Sequence, residues 1–440
     1  MKYYSTNGKA PIADLHKAVV KGLAEDRGLY MPEKINKLPK EFFDNIEKMS
    51  FQEIAYTVAS AFFGEDVDPD ALHDIVYDTL QFDCPVVNVK DNIYTLELFH
   101  GPTLAFKDVG ARFMARLLQY FIKQENNHKE VNVLVATSGD TGSAVANGFL
   151  GVDGIHVYVL YPKGKVSPIQ ECQFTTLGKN ITAIEVDGVF DDCQALVKNA
   201  FMDAELNEHM KLTSANSINV ARFLPQAFYY FNAYARMKEI ANTQHLSPNT
   251  QLVMCVPSGN FGNICAALFG HEMGLPIKRF IAANNANDIF YNYLQTGKYE
   301  PKPSKQTLAN AMDVGDPSNF ARIYDLYGKS HAKITSLISG ATYSDEQIKA
   351  TMRECYKESG YILDPHGACG YQALKDGLQA GEVGVFCETA HPAKFKEKVD
   401  DILGIDVEIP ERLAAFMRGQ KQSVPMSKDF ADFKAFLMKQ

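Results

Sequence analysis

The sequence predicts an α/β protein that is built on open, largely parallel sheets and preceded by a mainly helical N-terminal region. Three observations indicate this fold class. Six short runs rich in β-branched residues recur between residues 131 and 387, each run is followed by glycine, serine or asparagine, and a helical stretch comes after each turn. Because the runs are nearly continuously apolar, they are typical of parallel strands that are buried on both faces.

The predicted elements follow in order along the chain. Residues 1–92 are expected to be mainly helical, because stretches such as 51–63 carry apolar residues at helical spacing. Asp68-Pro69 and Cys84-Pro85 interrupt that pattern. Open parallel sheets bind ligands at the carboxyl ends of their strands, which is where the unusual residues of this chain fall. The predicted strands cover residues 131–136, 155–161, 181–186, 251–256, 278–283 and 383–387.

The length of 440 residues exceeds what one small core supports and predicts two or three domains. We expect an N-terminal domain of residues 1–92. A large domain would follow, made of residues 93–126 and 212–440. A small domain of residues 127–211 would be inserted into it. The sequence contains no internal repeat that would indicate a different architecture.

Composition excludes several classes of protein. The net charge of -9 argues against a nucleic-acid partner, although local positive groups could still bind a small anionic substrate. No apolar run reaches 18 residues and residues 1–10 are polar, so we expect no membrane partner and no secretory signal. The eight cysteines form no CxxC pair and no cluster with histidine. They predict no metal site and suggest reduced thiols in a cytoplasmic protein.

Lys107 is the first residue that suggests chemistry. It ends the segment LFHGPTLAFK and opens a predicted helix whose apolar side chains repeat every four positions from Val109. The positive end of a helix dipole and apolar neighbours both favour a neutral amine, the form that attacks an aldehyde. The alternative interpretation is a solvated lysine at a helix start, which is common in proteins.

A loop of hydroxyl groups and glycine follows the predicted strand 131–136 and opens a helix. Hydroxyls and free backbone N–H groups at such a point suit an anion such as a carboxylate. An ordinary helix cap with glycines for a tight turn explains the same pattern. The loop consists of Thr137, Ser138, Gly139, Asp140 and Thr141.

A second glycine loop follows the predicted strand 251–256 and leads into a helix over residues 264–269. Its two glycines permit close backbone approach, and the helix start supplies N–H groups for a phosphate. It matches neither a Walker loop nor a GxGxxG fingerprint, so alone it is a weak signal. The loop consists of Ser258, Gly259, Asn260, Phe261, Gly262 and Asn263.

Thr389 lies at the end of the predicted strand 383–387, in the segment CETAHPAK. A hydroxyl held at this edge can donate a hydrogen bond to an aromatic nitrogen without protonating it fully. The alternative is a plain turn between strand and helix. We interpret His391 as structural rather than as a metal ligand, because no HxxxH or HxH pattern accompanies it.

These blocks, in this order and spacing, resemble the threonine synthase family. The segments 28–32, 161–168, 214–219 with Arg222, and 309–313 agree as well, so the resemblance covers nearly the whole chain. It is closest in kind to the branch found in many bacteria and fungi. Seven motifs in one order are far more specific than any one of them, and they reverse the interpretation of Lys107 as a solvated side chain.

The resemblance implies a fold-type II, tryptophan-synthase-β-like fold, whose large domain binds pyridoxal 5'-phosphate (PLP). It implies that Lys107 binds PLP as a Schiff base and later moves protons. The residues from Gly259 to Asn263 would hold the cofactor phosphate, and Thr389 would contact the pyridine nitrogen. The residues that the resemblance assigns to the cofactor are Lys107, Asp140, Ser258, Gly259, Asn260, Phe261, Gly262, Asn263 and Thr389.

Substrate contacts are implied in the same way. Residues 137–141 would face the substrate carboxylate, through Thr137, Ser138, Gly139 and Thr141. Asn216, Ser217 and Arg222 would approach the substrate phosphate, with Asn263 as a further candidate, since a planar guanidinium matches a phosphate bidentately. Simpler interpretations remain for this segment, namely a helix cap for Ser217 and a surface charge for Arg222.

Asp140 departs from many relatives in the wider fold class, which have asparagine there. Asparagine can donate to the phenolic oxygen of the cofactor, whereas an ionised aspartate cannot. Either Asp140 is protonated or another group donates. The SGDTG form is usual in this branch of the family.

The implied reaction converts O-phospho-L-homoserine and water into L-threonine and phosphate by γ-elimination and β-addition, in a monomer or a homodimer. Two alternatives remain. One is another fold-type II lyase, such as a serine or threonine dehydratase or a phospholyase, which would not need the phosphate site of residues 216–222. The other is a catalytically silent protein of this fold that acts by binding, but such a protein is expected to have lost the lysine or the phosphate loop.

Overall fold

The computed structural model describes residues 1–127 and 129–440. The chain forms two compact units, and each is made of several segments. The first unit contains residue 1, residues 32–106 and residues 223–408. The second unit contains residues 2–31, 107–222 and 409–440.

The described residues form fourteen strands in three sheets. The strands are β1 (Lys2–Ser5), β2 (Ala13–Asp14), β3 (Tyr30–Pro32), β4 (Val86–Lys90), β5 (Ile93–Glu97), β6 (Val131–Ala136), β7 (Ile155–Pro162), β8 (Ile181–Asp187), β9 (Lys211–Ser214), β10 (Gln251–Pro257), β11 (Arg279–Asn284), β12 (Ile338–Thr342), β13 (Glu382–Glu388) and β14 (Val424–Ser427).

Helices connect the strands and cover the sheets. They are α1 (Leu15–Lys21), α2 (Lys40–Asn45), α3 (Phe51–Phe63), α4 (Pro69–Thr79), α5 (Lys107–Gln124), α6 (Asp140–Gly148), α7 (Pro168–Thr175), α8 (Phe190–Met202), α9 (Ala204–His209), α10 (Val220–Phe223), α11 (Ala227–Gln244), α12 (Gly262–Glu272), α13 (Ile289–Thr296), α14 (Phe320–Leu326), α15 (His331–Leu337), α16 (Asp345–Ser359), α17 (Pro365–Gly377), α18 (Lys396–Leu403), α19 (Glu411–Met417) and α20 (Phe430–Leu437). Single 3₁₀ turns cover Ile46–Lys48, Leu224–Gln226, Asn310–Met312 and Pro392–Phe395.

The first unit is built on a six-stranded sheet in the order β12-β11-β10-β13-β5-β4. Every pair in it is parallel except β4 with β5, which is antiparallel. The register pairs Cys255 with Ile281 on one side and with Phe386 on the other. The strands predicted over residues 251–256, 278–283 and 383–387 are therefore confirmed to within one residue at each end.

The second unit contains a five-stranded, fully parallel sheet in the order β14-β8-β7-β6-β9. Its three central strands match the predicted strands 131–136, 155–161 and 181–186. The edge strands β9 and β14 were not predicted, because each is only four residues long. The pairing of β14 with β8 adds Val424–Ser427 to this sheet.

The N-terminal region contains α1 to α4, as its helical pattern predicts, and α3 spans residues 51–63. A capping box fixes the start of α3, where Ser50 and Glu53 bond each other's backbone N–H groups. The region also contributes a small sheet in the order β2-β1-β3 that the sequence pattern did not predict.

The division into domains 1–92, 93–126 with 212–440, and 127–211 stays a prediction.

No helix within residues 1–127 and 129–440 is long and apolar enough to cross a lipid bilayer.

One face of the C-terminal helix α20 packs into the core of the second unit, so shortening a buried side chain on this face should be costly. Phe433 is fully buried in a cluster with Leu134, Ile184 and Leu437. We expect Phe433→Ala to lower the free energy of unfolding by about 3–5 kcal/mol, because the deletion leaves a cavity. Phe436→Ala is the control, since Phe436 is only partly buried against the same cluster. Chemical denaturation measures both, and equal losses would contradict the burial of α20.

Candidate active site

Two neighbouring parallel strands of the first unit end at the same edge of its sheet. β10 ends at Pro257 and β13 ends at Glu388, and the two strands are hydrogen-bonded to each other. The glycine loop begins at Ser258, directly after β10, and Thr389 follows β13 directly. The sequence therefore predicted correctly that both segments stand at the carboxyl ends of strands, where sheets of this kind bind ligands.

The backbone around Thr389 pairs with the segment that precedes Lys107. The N–H of Phe106 donates to the carbonyl of Thr389 at 2.8 Å, and the N–H of His391 donates to the carbonyl of Leu104 at 3.0 Å. Lys107 is thus one peptide bond away from a residue that is hydrogen-bonded to Thr389. Lys107 is also the first residue of α5, as the sequence predicted.

A buried ammonium group supports this pairing. Lys394 is fully buried, and its Nζ donates to the carbonyl of Thr103 at 2.9 Å. The contact ties the turn after β13 to the turn before Lys107. The Thr389 side chain is 5% exposed, and its hydroxyl has no hydrogen-bond partner in the part of the chain that the structure describes. A buried hydroxyl in this state has its donor available for a ligand.

The glycine loop turns tightly against a neighbouring segment of the first unit. A Cβ on Gly259 would lie 2.7 Å from the carbonyl oxygen of Ala311 and 2.8 Å from Cα of Met312. No side chain fits there, so glycine is required for the close approach of the two backbones. Phe261 has a φ of 65°, the left-handed conformation that few non-glycine residues adopt.

This conformation leaves a row of backbone donors at the start of α12. The helix begins at Gly262, two residues earlier than the predicted helix, and no side chain caps it. Within the described part of the chain, no acceptor pairs with the N–H groups of Gly259, Phe261, Gly262 and Asn263. Unpaired N–H groups at a helix start, together with the helix dipole, suit a phosphate.

The polar side chains of the loop hold the loop itself. Ser258 donates to the Asn263 side-chain oxygen at 3.1 Å, and Asn263 Nδ2 donates to the carbonyl of Pro257 at 2.8 Å. Asn260 accepts from the N–H of Ser318 at 2.7 Å, while its carbonyl accepts from Asn319 Nδ2 at 3.1 Å. The loop therefore reaches an anion through its backbone, and these side chains fix the backbone.

Sequence reasoning missed the residues that support the loop from outside. Arg322 is fully buried, donates to Asn319 Oδ1 at 2.9 Å and lies 4.1 Å from the ring centre of Phe223. Burial lowers the pKa of Arg322 to about 9. No local pattern marks Asn319 or Arg322, whereas the segment 309–313 was noticed in the sequence without a role.

The hydroxyl-rich loop lies in the second unit, between β6 and α6. Thr137 Oγ1 accepts from the N–H groups of Gly139 at 2.9 Å and of Gly142 at 2.8 Å. Gly139 has a φ of 147°. The hydroxyl of Thr137 thus shapes the loop, while the side chains of Ser138 and Thr141 are half-buried.

Asp140 is 2% exposed, and the amide nitrogen of Gln170 donates to its Oδ1 at 3.0 Å. The carboxylate is therefore used as an acceptor within the second unit. An ionised aspartate can make this contact, because it only has to accept a hydrogen bond. Gln170 was not noticed in the sequence, because a glutamine inside a helix carries no distinctive pattern.

Residues 216–219 form a turn of the second unit that leads into α10, which carries Arg222. Asn216 Nδ2 donates to the carbonyl of Ala136 at 3.1 Å, and Ser217 is half-buried. Arg222 is 1% exposed, and its Nε donates to the carbonyl of Ala215 at 2.8 Å. Burial excludes the interpretation of Arg222 as a surface charge. A Cβ on Gly110 would lie 2.4 Å from Arg222 Nη1, so glycine is required where the guanidinium packs.

The donor set fits a phosphorylated pyridine aldehyde such as PLP. The first unit offers a row of backbone N–H groups for a phosphate and a buried hydroxyl for a ring nitrogen. The chain continues from Phe106 directly into a lysine, whose amine can bind an aldehyde.

Comparison with known proteins agrees with this chemistry. The family model "Pyridoxal-phosphate dependent enzyme" matches residues 82–387, so the chain is an enzyme of this cofactor class. The models "Threonine synthase N terminus" and "Threonine synthase, C-terminal" match residues 2–80 and 367–437. The chain belongs to the threonine synthase family.

Individual relatives extend over the full chain. The threonine synthase of Serratia marcescens is 44% identical over 438 residues, covering 100% of this chain and 99% of the relative. The crystal structure of threonine synthase from Escherichia coli has a TM-score of 0.92 at 43% identity, with complete coverage of both chains. A PLP-bound threonine synthase from Brucella melitensis has a TM-score of 0.90 at 34% identity, covering 100% of this chain and 99% of the relative. The fold is that of the fold-type II PLP enzymes.

The close contact at Gly259 predicts the effect of one added methyl group. We expect Gly259→Ala to weaken PLP binding about tenfold or more, because overpacking typically costs about 1–3 kcal/mol and would move the loop. Gly377→Ala is the control, since its Cβ would meet only the Ile281 methyl group at 3.3 Å. Titration of the apoenzyme with PLP measures the affinity. An unchanged affinity in Gly259→Ala would show that the loop does not bind the cofactor.

Proposed function

We propose that this chain converts O-phospho-L-homoserine and water into L-threonine and phosphate. The observation that carries the proposal is the arrangement at one edge of the six-stranded sheet. Backbone pairing holds three features at this edge: the unpaired N–H groups of residues 259 and 261–263, the hydroxyl of Thr389, and the chain that leads into Lys107. The membership in the threonine synthase family supports the choice of reaction among PLP enzymes.

For the cofactor, we propose one role for each segment. Lys107 would bind the aldehyde carbon, and the backbone N–H groups of residues 259–263 would bind the phosphate. Thr389 would donate to the pyridine nitrogen, and Asp140, held by Gln170, would lie toward the phenolic oxygen. When bound, PLP supplies an electron sink for the carbanions that form at Cα and Cβ of the substrate.

For the substrate, the two anionic ends need two different sites. Residues 137–141 would bind the carboxylate through backbone N–H groups and through the hydroxyls of Ser138 and Thr141. Both side chains are only half-buried, so a ligand can reach their hydroxyls. Asn216, Ser217 and Arg222 would bind the leaving phosphate. Asn263 is a weaker candidate there, because its side chain already donates to Pro257 and accepts from Ser258.

Proton transfer is assigned to Lys107. With PLP bound, the amine of Lys107 would accept a proton from the substrate and would return one at a neighbouring carbon. The positive end of the α5 dipole at Lys107 favours a neutral amine, the form that a general base requires. Phosphate would leave from Cγ, which would gain a proton, and water would then add its hydroxyl group at Cβ.

We also propose a cytoplasmic location and a monomer or homodimer. All eight cysteines lie in the described ranges and are free thiols, and seven of them are buried, which is typical of proteins from a reducing compartment. The burial of Cys193 raises the pKa of its thiol to about 12, so it remains a neutral, unreactive group.

Replacement of Lys107 tests the function directly. We expect Lys107→Ala to lose nearly all phosphate release from O-phospho-L-homoserine, together with the visible absorbance of lysine-bound PLP, because no other amine replaces it. Lys123→Ala is the control, an exposed lysine of the same helix. Assays of phosphate and threonine are run in parallel. Normal turnover of Lys107→Ala would refute the assignment, and phosphate release without threonine in the wild type would favour a phospholyase.

Replacement of Arg222 separates the substrate site from the cofactor site. Removal of a buried charged partner of an anion typically costs about 2–5 kcal/mol, so Arg222→Ala should lower turnover of O-phospho-L-homoserine by at least about thirtyfold. PLP affinity should stay near the wild-type value, because Lys107 and residues 259–263 are unchanged.

Steady-state kinetics and PLP titration of Arg222→Ala show which segment binds the substrate phosphate and which binds the cofactor phosphate. Thermal unfolding is the control for lost stability, because Arg222 is buried. A loss of PLP affinity in place of substrate turnover would show that the two phosphates are assigned to the wrong segments. Arg222→Lys keeps the charge and should recover part of the turnover only, since lysine lacks the planar fork.

A further inference from the structure

We propose that His366 is a positioning residue for the cofactor phosphate, and that it acts through the backbone of the turn Asn310–Met312 on the loop at Gly259. The inference rests on the proposed role of residues 259–263 in binding PLP. His366 lies in α17 of the first unit, is 2% exposed and belongs to none of the segments assigned above.

The hydrogen bonds of His366 define its tautomer. The N–H of Ala311 donates to His366 Nε2 at 3.1 Å. A backbone amide can only donate, so Nε2 must be unprotonated and accept. The ring proton is therefore on Nδ1, which donates to the carboxylate of Asp364. His366 is thus a neutral ring whose two nitrogens have fixed and different roles.

The partner of His366 is itself rigid. Asp364 is fully buried and caps the start of α17, where it accepts from the N–H of Gly367 at 2.8 Å. Its own N–H donates to Glu388 Oε1 at 3.1 Å. Burial and the charge of Asp364 raise the pKa of Glu388 well above its usual range. Although burial raises it, the pKa of Asp364 is lowered overall by its contacts with His366 and Gly367, so Asp364 is the carboxyl group of the pair that keeps its charge and accepts from His366.

The other end of this chain of contacts is the phosphate loop. The turn that His366 holds through Ala311 is the same turn that leaves no room for a Cβ on Gly259. The carbonyl of Ala311 and Cα of Met312 form the wall against which the loop backbone rests. A shift of this wall by a few tenths of an ångström would move the unpaired N–H groups of residues 259 and 261–263, and hydrogen bonds to a phosphate weaken steeply with misalignment.

The experiment compares His366→Gln with His366→Asn, because each variant keeps only one of the two hydrogen bonds of His366. Glutamine places its side-chain oxygen at the distance of Nε2 and keeps an acceptor for the N–H of Ala311. Asparagine reaches only to the distance of Nδ1, so it keeps a donor for Asp364 and leaves the N–H of Ala311 unpaired. His245→Asn is the control, because His245 is exposed and has a φ of 53°, which asparagine tolerates.

Each apoenzyme is titrated with PLP and, separately, with pyridoxal, which lacks the phosphate. We expect His366→Asn to bind PLP about tenfold more weakly, the effect of about one buried hydrogen bond left unmade. Its affinity for pyridoxal should not change. His366→Gln should stay within about threefold of the wild type for both ligands, since it keeps the acceptor.

Equal losses for PLP and pyridoxal, or equal losses in the two variants, would overturn the proposal, because a merely structural role does not distinguish them. If His366→Asn fails to fold, nitrogen-15 NMR of labelled wild-type histidines decides. A ring proton on Nδ1 of His366 supports the proposal, and one on Nε2 overturns it. A wild-type enzyme that binds PLP no better than pyridoxal would instead refute the phosphate role of residues 259–263.

Discussion

The parallel pairing of β10 with β13 is the constraint on which the remaining features of the first unit depend. It fixes Pro257 and Glu388 at one edge of the sheet, so that the residues after each strand emerge side by side. The bridge between residues 104–106 and 389–391 then adds the chain that leads to Lys107. Three segments far apart in the sequence are positioned by backbone hydrogen bonds, which do not depend on side-chain rotamers.

The phosphate loop is built almost entirely from backbone, and this has an energetic consequence. Its side chains Ser258, Asn260 and Asn263 are committed to holding the loop, and no lysine or arginine lies within residues 258–263. Desolvated N–H groups without acceptors cost free energy. An anion that pairs with them therefore stabilises this loop conformation. A ligand that binds only this conformation stabilises the folded unit by an amount that rises with the logarithm of its concentration divided by its Kd.

The sequence predicted the features that depend on local patterns. Buried runs predicted six strands, β6, β7, β8, β10, β11 and β13, but not β5, which also lies inside its sheet. Hydroxyls with glycines predicted that helices begin after β6 and β10, and α12 begins two residues before the predicted position. Features that depend on pairing between distant residues could not be predicted, such as the short strands β9 and β14 and the bridge of Ala105 with Ala390. Gln170 and His366 were missed for the same reason, because each acquires its partner only in the folded chain.

Glu388 and Thr389 are adjacent, and their different environments bear on how the cofactor ring would be protonated. The carboxyl group of Glu388 is buried toward Asp364 and Gly367, where a Cβ on the glycine would lie 2.1 Å from Glu388 Oε2. Burial and the charge of Asp364 raise the pKa of Glu388 well above its usual range, which favours an uncharged carboxyl group at the sheet edge. If Thr389 faces the pyridine nitrogen, as we propose, that nitrogen receives a hydrogen bond from a neutral hydroxyl. The ring is then a weaker electron sink than a full pyridinium, and more of the burden of proton transfer falls on Lys107.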